Sequence, residues 1–264
     1  MQAYFFAAAL CGAAVAASPI SAQDAGNPFG LGSASVTYGP YVRAELGATS
    51  SDFKDGNWLP PGQSDPRVYF DLGGDESGFG GIAFGYDWMN GFRADVGVIT
   101  MSSVDATGPW SYTVPSVPGP HAEITAAPVR TTAMMGNLFY SPLEQRGVNS
   151  RLQPYFVVGL GIARNKLGDW TRENAASGNP VRTFAGNSSD DAAYSLGAGI
   201  SWQATEPGQR PVLVDFSLRY FDFGAVEGGT TSLGAGGRTP REALNFTRQD
   251  TVVSVGVRVP LNRY

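Results

Sequence analysis

Eight charged side chains draw attention because each is flanked by apolar or small residues. Arg43, Arg93, Arg219 and Arg258 carry four positive charges, and Glu45, Asp87, Asp95 and Asp215 carry four negative ones. If they share one enclosed face, together with Asn137, their chemistry is mutual ion pairing, because a charge withdrawn from water without a partner is very costly. Two other constellations suggest different chemistry. His121, the single histidine, stands close to Glu123 in a proline-rich stretch, with Ser102, Ser103, Ser111 and Ser116 as candidate hydroxyls. Acyl-transfer catalysis needs a base beside such a nucleophile, but none of these spacings is diagnostic. An exposed loop histidine is the simpler reading, and no catalytic residue is expected. Asp71, Asp75 and Glu76 resemble a hard-cation cluster. Their spacing is not that of a calcium-binding helix–loop–helix, and a solvated acidic loop accounts for them. No metal or cofactor is expected.

The elements that must position the eight charges are strands. In Pro211 to Gly224, PVLVDFSLRYFDFG, the residues Val212, Val214, Phe216, Leu218 and Tyr220 alternate with Asp215, Ser217 and Arg219. A strict period of two makes a strand with two unlike faces. The same pattern recurs along the chain. Near 38–47, Val42, Ala44 and Leu46 oppose Arg43 and Glu45. In GFGGIAFGYDWM, Ile82, Phe84, Tyr86 and Trp88 oppose Asp87; after Asn90-Gly91, a two-residue hairpin signal, Phe92, Ala94, Val96 and Val98 oppose Arg93 and Asp95. Near 129–141, Met134, Leu138 and Tyr140 oppose Asn137. PYFVVGLGIAR and AAYSLGAGISWQ alternate Phe156, Val158, Leu160 and Ile162, then Tyr194, Leu196, Ile200 and Trp202, against small residues. In DTVVSVGVRVPL, four valines alternate with Ser254, Gly256 and Arg258. The Gly-x-Gly runs at 159–161 and 197–199 lie inside strands, so they are not phosphate-binding turns.

Eight strands follow, and the polar connections between them run long, short, long, short, long, short, long. The long stretches are 48–77, 103–128, 167–189 and 226–247. No amphipathic helix is available to cover the apolar faces. The expected fold is therefore all-β: an eight-stranded antiparallel transmembrane β-barrel, apolar face to lipid and polar face to the lumen, with four long outer loops and three short periplasmic turns. Trp88, Phe92, Tyr140, Phe156 and Trp202 fall beside the short turns and form an expected periplasmic aromatic girdle. The interior of eight strands is only wide enough for side chains. Arg43, Glu45, Asp87, Arg93, Asp95, Asn137, Asp215, Arg219 and Arg258 are accordingly expected to form a charge network that plugs the lumen.

Composition agrees. The net charge of −5 gives no basic stripe for nucleic acid. Residues 3–17 are an apolar run, and Ile20-Ser21-Ala22 offers a cleavage site, so 1–22 reads as a signal peptide, although no basic residue precedes the apolar run. Residues 23–37 read as a flexible lead-in and 38–264 as the barrel. Cys11, the single cysteine, falls within the signal peptide, so no disulfide is expected.

The segments PYFVVGLGIA, SLGAGISW, DFSLRYFDFG and GFGGIAFGYDWMNGFRADVG resemble the small opacity-protein-like, OmpA-like outer-membrane barrels of Gram-negative bacteria. The resemblance spans residue 38 onward. It implies an integral outer-membrane barrel with a structural, surface-antigen or adhesin role, in contact with outer-membrane lipid and lipopolysaccharide and assembled by the barrel-assembly machinery. A narrow channel for small solutes is the alternative, and a lipid-modifying enzyme a more distant one. No sequence feature names a ligand for the loops.

Overall fold

The computed structural model describes residues 39–114, 123–174, 176–206, 209–234 and 237–262. The signal peptide, the lead-in and His121 lie outside the described residues. In chain order the elements are β1 (Gly39–Leu59), β2 (Val68–Phe70), β3 (Gly73–Asp87), β4 (Phe92–Ser111), β5 (Glu123–Tyr140), α1 (Pro142–Gln145), β6 (Leu152–Leu167), β7 (Trp170–Asn174), β8 (Pro180–Phe184), β9 (Asn187–Gln203), β10 (Leu213–Glu227) and β11 (Glu242–Pro260). Eight of the strands, β1, β3, β4, β5, β6, β9, β10 and β11, form a ring of antiparallel neighbours, and β11 closes it onto β1. No edge is left open, as a sheet surrounded by lipid requires.

The alternation dictates the two surfaces. On β6, Phe156, Val158, Leu160 and Ile162 point outward, and Leu160 is 74% exposed. Val253, Val255 and Val257 do the same on β11, and Ile82 and Phe84 on β3. An apolar band of this extent running round a whole barrel cannot face water, and lipid is the solvent that fits it.

The ring strands run well past that band, and this differs from the sequence-based expectation. Much of the stretch read as a polar loop at 48–77 is β1 up to Leu59, then β2, then the start of β3. The loops expected at 103–128, 167–189 and 226–247 are likewise shortened by β4 and β5, by β7, β8 and β9, and by β11. The reason is a reversal of polarity along each strand. Above Ala48, β1 turns Ser50, Asp52 and Lys54 outward and Phe53 inward. A bulge between Lys54 and Asn57, with Asp55 at a positive φ of 57°, lets Trp58 point inward as well. On β11 the outward residues become Thr251, Gln249 and Thr247, while Phe246 and Leu244 turn in. The outer half of the barrel thus has a water-soluble pattern with an apolar core. Trp58, Trp170 and Phe184 lie at its centre, with Trp170 stacked on Phe184 at 4.4 Å between ring centroids.

The β3–β4 hairpin also differs in detail from the expected two-residue turn. Trp88 N–H bonds to the Phe92 carbonyl, and the positive φ values fall at Met89 and Gly91. Asn90 instead accepts the Phe92 N–H through its side chain, and Asp87 accepts that of Met89. Asx-type turns of this kind relieve Asn90 of the left-handed conformation.

The two outer surfaces predict opposite tolerance to charge. Leu160→Arg costs about 2–4 kcal/mol of folding free energy in a bilayer, whereas Thr247→Arg, on the outer half, stays within about 0.5 kcal/mol. Urea unfolding in lipid vesicles measures both.

Candidate functional site

Inside the lipid-facing half, the inward positions of seven strands converge. Arg43 on β1 bonds Glu45 at 2.7 Å and, through Nε, Asp95 on β4 at 3.0 Å. Asp95 also accepts from Asn137 on β5 at 2.7 Å and from the Tyr41 hydroxyl at 3.2 Å. Arg219 on β10 reaches across to donate to the Asn137 oxygen at 2.6 Å and to Ser195 at 2.9 Å. Its other nitrogen is 3.9 Å from Glu45. Nearer the short turns, Arg258 on β11 joins Asp87 at 3.0 Å and Asp215 at 3.3 Å, and donates to Ser201 at 2.9 Å. All nine side chains named from the sequence are buried.

Arg93 is held differently. Its guanidinium lies 4.3 Å from the Phe139 ring and 4.5 Å from the Tyr155 ring, and only 3.9 Å links it to Asp215. Its Nε and Nη2 have no hydrogen-bond partner. Aromatic faces substitute for some of the missing acceptors. Space for these long side chains comes from small residues opposite: a Cβ at Gly159 would sit 2.5 Å from Ser195 Oγ and 2.6 Å from Asn137 Oδ1.

Two more layers lie above. Phe79, Ile99, Met101, Met135, Phe221 and Val252 form an apolar layer. Beyond it Arg248 pairs with Asp250 at 3.0 Å and donates to Thr131 and Ser51, each at 3.2 Å. This second ion pair was not expected from the sequence, because Arg248 sits just before the eighth strand as read there. Its signal was present nonetheless: Arg248 and Asp250 share the inward even-numbered register of Ser254 and Arg258. Tyr41, Phe139 and Tyr155 were also missed, since an aromatic on the polar face carries no mark of its own.

At the short-turn end the network is reached from a vestibule lined by Asp87, Arg93, Glu144, Arg151 and Arg258. Glu144 belongs to α1, a single turn opened by Pro142. Burial, and then repulsion by Asp87, push its carboxyl up to about 7, against the pull of Arg93 and Arg258.

On the outer surface, Trp88, Phe156 and Trp202 are exposed and Phe92 and Tyr140 half-buried, all at the short-turn end. The rings of Phe92 and Tyr140 lie 5.2 Å apart, and Tyr86 packs on Trp88 at 5.6 Å. Tyr194 and Tyr220, 6.4 Å apart, mark the opposite border of the apolar band. Ser102 and Ser103 are exposed on β4, and Ser111 bonds Thr113 at 2.9 Å. Ser116 and His121 lie outside the described residues. Among the described residues no group of three or more histidine, cysteine or carboxylate side chains could hold a metal.

A closed antiparallel ring, an apolar outer band and a charged inner face define a transmembrane β-barrel. Solved structures with a similar architecture include Neisserial surface protein A, 15% identical over 84% of this chain and 97% of that one with a TM-score of 0.43. The outer membrane protein OprG from Pseudomonas aeruginosa is 14% identical over 85% and 97%, with a TM-score of 0.44. The outer membrane protein AlkL is 16% identical over 88% and 96%, with a TM-score of 0.41. No family model and no curated protein matches the chain.

Two outcomes follow from the network. Asp95→Ala strips Tyr41, Arg43 and Asn137 of their shared acceptor and costs about 3–5 kcal/mol, measured by urea unfolding in vesicles. The folded protein holds the Glu144 proton more tightly than the unfolded chain does. The Glu144 contribution to stability is therefore fully present below pH 4.5 and is lost as pH rises to about 7. Glu144→Gln removes that decline, which a series of unfolding midpoints across this range detects.

Proposed function

We propose that the protein is an integral β-barrel of the bacterial outer membrane whose interior is closed to solutes, with a structural or surface-interaction role. The observation that supports this best is the stacking of side chains along the axis. The Arg43–Asp95–Asn137–Arg219 network lies below the Phe79–Met135–Phe221 layer, the Arg248–Asp250 pair above that, and the Trp58–Trp170–Phe184 core at the outer end. In an interior as narrow as eight strands allow, four consecutive layers leave no continuous polar path. The band of exposed aliphatic residues favours residence in lipid, and the short turns, with Trp88 and Trp202 beside them, then face the periplasm. Residues 1–22 would direct export, the barrel-assembly machinery would insert the chain, and lipopolysaccharide would surround its outer half. The outer half carries its own core, so it presents a rigid protein surface instead of four separate mobile loops.

Planar-bilayer recording tests the closure. The purified barrel, shown to be folded by a faster SDS-gel mobility unboiled than boiled, should give no sustained conductance steps. Regular open-channel steps from protein of that mobility would overturn closure and leave the narrow-channel reading. Loss of the mobility difference would overturn the barrel itself.

A further inference from the structure

Cations face each other directly across neighbouring strands at three places among the described residues: Arg43 opposite Arg258, Arg172 opposite Arg182, and Arg130 opposite Lys166. Like charges directly opposite are destabilising unless something offsets them. At the first pair the offset is carboxylate: Glu45 and Asp95 hold Arg43, and Asp87 and Asp215 hold Arg258. At the second, indole contributes. Arg172 lies 5.2 Å from the Trp58 ring and 4.9 Å from that of Trp110, and Arg182 lies 5.6 Å from Trp58.

The third pair has no such offset. Arg130 on β5 and Lys166 on β6 are both exposed on the outer surface, and neither forms an ion pair within the described residues. Arg164, one outward position lower, adds a third cation, but both oxygens of Asp190 are committed to it at 2.7 Å. Asp105, the outward carboxylate on β4, faces Pro128 and makes no ion pair with Arg130. The chain carries −5 overall and has only two lysines, so this concentration of positive charge on two adjacent strands runs against its composition.

Its height explains what belongs there. The outward partners four residues toward the membrane are Met134 and Ile162, 56% and 60% exposed, at the upper border of the apolar band. Four residues span about 13 Å of strand, and roughly 10 Å along the membrane normal at the usual tilt. That is the headgroup layer, within reach of long flexible side chains.

We propose that Arg130 and Lys166, flanked by Arg164, form a binding site for the phosphate of a phosphorylated lipid in the outer leaflet, whose acyl chains lie over Met134, Leu160 and Ile162. A phosphate between the two facing cations replaces their repulsion with two charge-assisted hydrogen bonds. The inference rests on the membrane placement proposed above.

The test uses diphosphoryl lipid A as the probe, titrated against the detergent-solubilised full barrel by thermophoresis. R130Q/K166Q should bind it about thirtyfold more weakly than the unaltered protein, two basic groups having been removed. R130K/K166R should retain binding, and K54Q, remote and already paired with Asp52, should match the unaltered protein. Lipid A stripped of its phosphates should not distinguish R130Q/K166Q from the unaltered protein, and inorganic phosphate at equal concentration should not displace the probe. Equal affinity of R130Q/K166Q and the unaltered protein would overturn the proposal. So would displacement by inorganic phosphate, which would make the pair a free-anion site. Each variant is first checked for heat-dependent SDS mobility. Failure of that check in the unaltered protein overturns the membrane reading instead, separately from the lipid site. If R130Q/K166Q alone fails it, unchanged binding by Arg130→Gln and Lys166→Gln as single variants would overturn the proposal.

Discussion

Each strand of this barrel keeps its phase of alternation while it passes through two solvents, except where a bulge shifts it on β1, β4 and β10, and the rest of the structure depends on that. A strand's side chains point alternately in and out over its whole length, bulges aside. Away from those bulges the inward register cannot change, so the residue types must. On β11 the inward positions read Arg258, Gly256, Ser254, Val252, Asp250, Arg248, Phe246 and Leu244, polar or small at one end and apolar at the other. The outward positions run the opposite way, from valine to threonine, glutamine and asparagine. In lipid the burial energy is gained outside, and the interior must be satisfied by hydrogen bonds and ion pairs. In water it is gained inside. The Arg248–Asp250 pair lies where one regime gives way to the other, between the Phe79–Phe221 layer and the outer aromatic core.

That constraint also accounts for the chemistry of the inner face. Every buried cation in the lipid-facing half is arginine: Arg43, Arg93, Arg219 and Arg258. A guanidinium offers five donors in a fixed plane and stacks on rings, so it can serve several strands at once. Arg258 does this with acceptors from β3, β9 and β10, and Arg219 with acceptors from β5 and β9. An ammonium at the same positions could neither span these separations nor lie flat between Phe139 and Tyr155 as Arg93 does. Buried ion pairs are weak sources of stability compared with well-packed apolar side chains. Here the comparison favours them for another reason. The outside of the barrel already carries the apolar surface, and an apolar interior as well would leave the strand pattern with no difference between its faces to define register.

The membrane-crossing part was legible in the sequence for the same reason. Eight runs of alternation, the ring they form and the inward register of Arg43, Arg93, Asp95, Asp215, Arg219 and Arg258 follow from a period of two and a rule about which face meets lipid. The continuation of the strands beyond the membrane was not legible. There the outward residues are polar and the inward ones mix aromatics with charge, so stretches such as SSDFKDGNW read as loop by composition, although they continue the ladder with β11. The loop reading failed because it looked for the membrane pattern where the membrane had ended. Partner assignment within the network was beyond the sequence as well. Alternation puts Asn137 on the inner face, but only the closed ring brings it between Asp95 and Arg219.

The three facing cation pairs show how location decides what neutralises a charge. Inside the barrel there is no solvent to help, and carboxylates from neighbouring strands must be built in. In the outer core, where Trp58 and Trp110 are fixed by packing, aromatic faces contribute. On the outer wall, above the border of the apolar band, Asp190 is the carboxylate that pairs with this cluster among the described residues, and Arg164 takes both its oxygens. Water alone would screen the remaining repulsion between Arg130 and Lys166 well if the pair stood in bulk solvent. It stands instead roughly 10 Å above that border, in the headgroup layer, where the low dielectric of the hydrocarbon below weakens screening. A like-charge pair in that position is costly in the isolated protein and favourable once an anionic headgroup covers it. On the proposed reading, the fold leaves part of its charge balance to the lipid just above the apolar band.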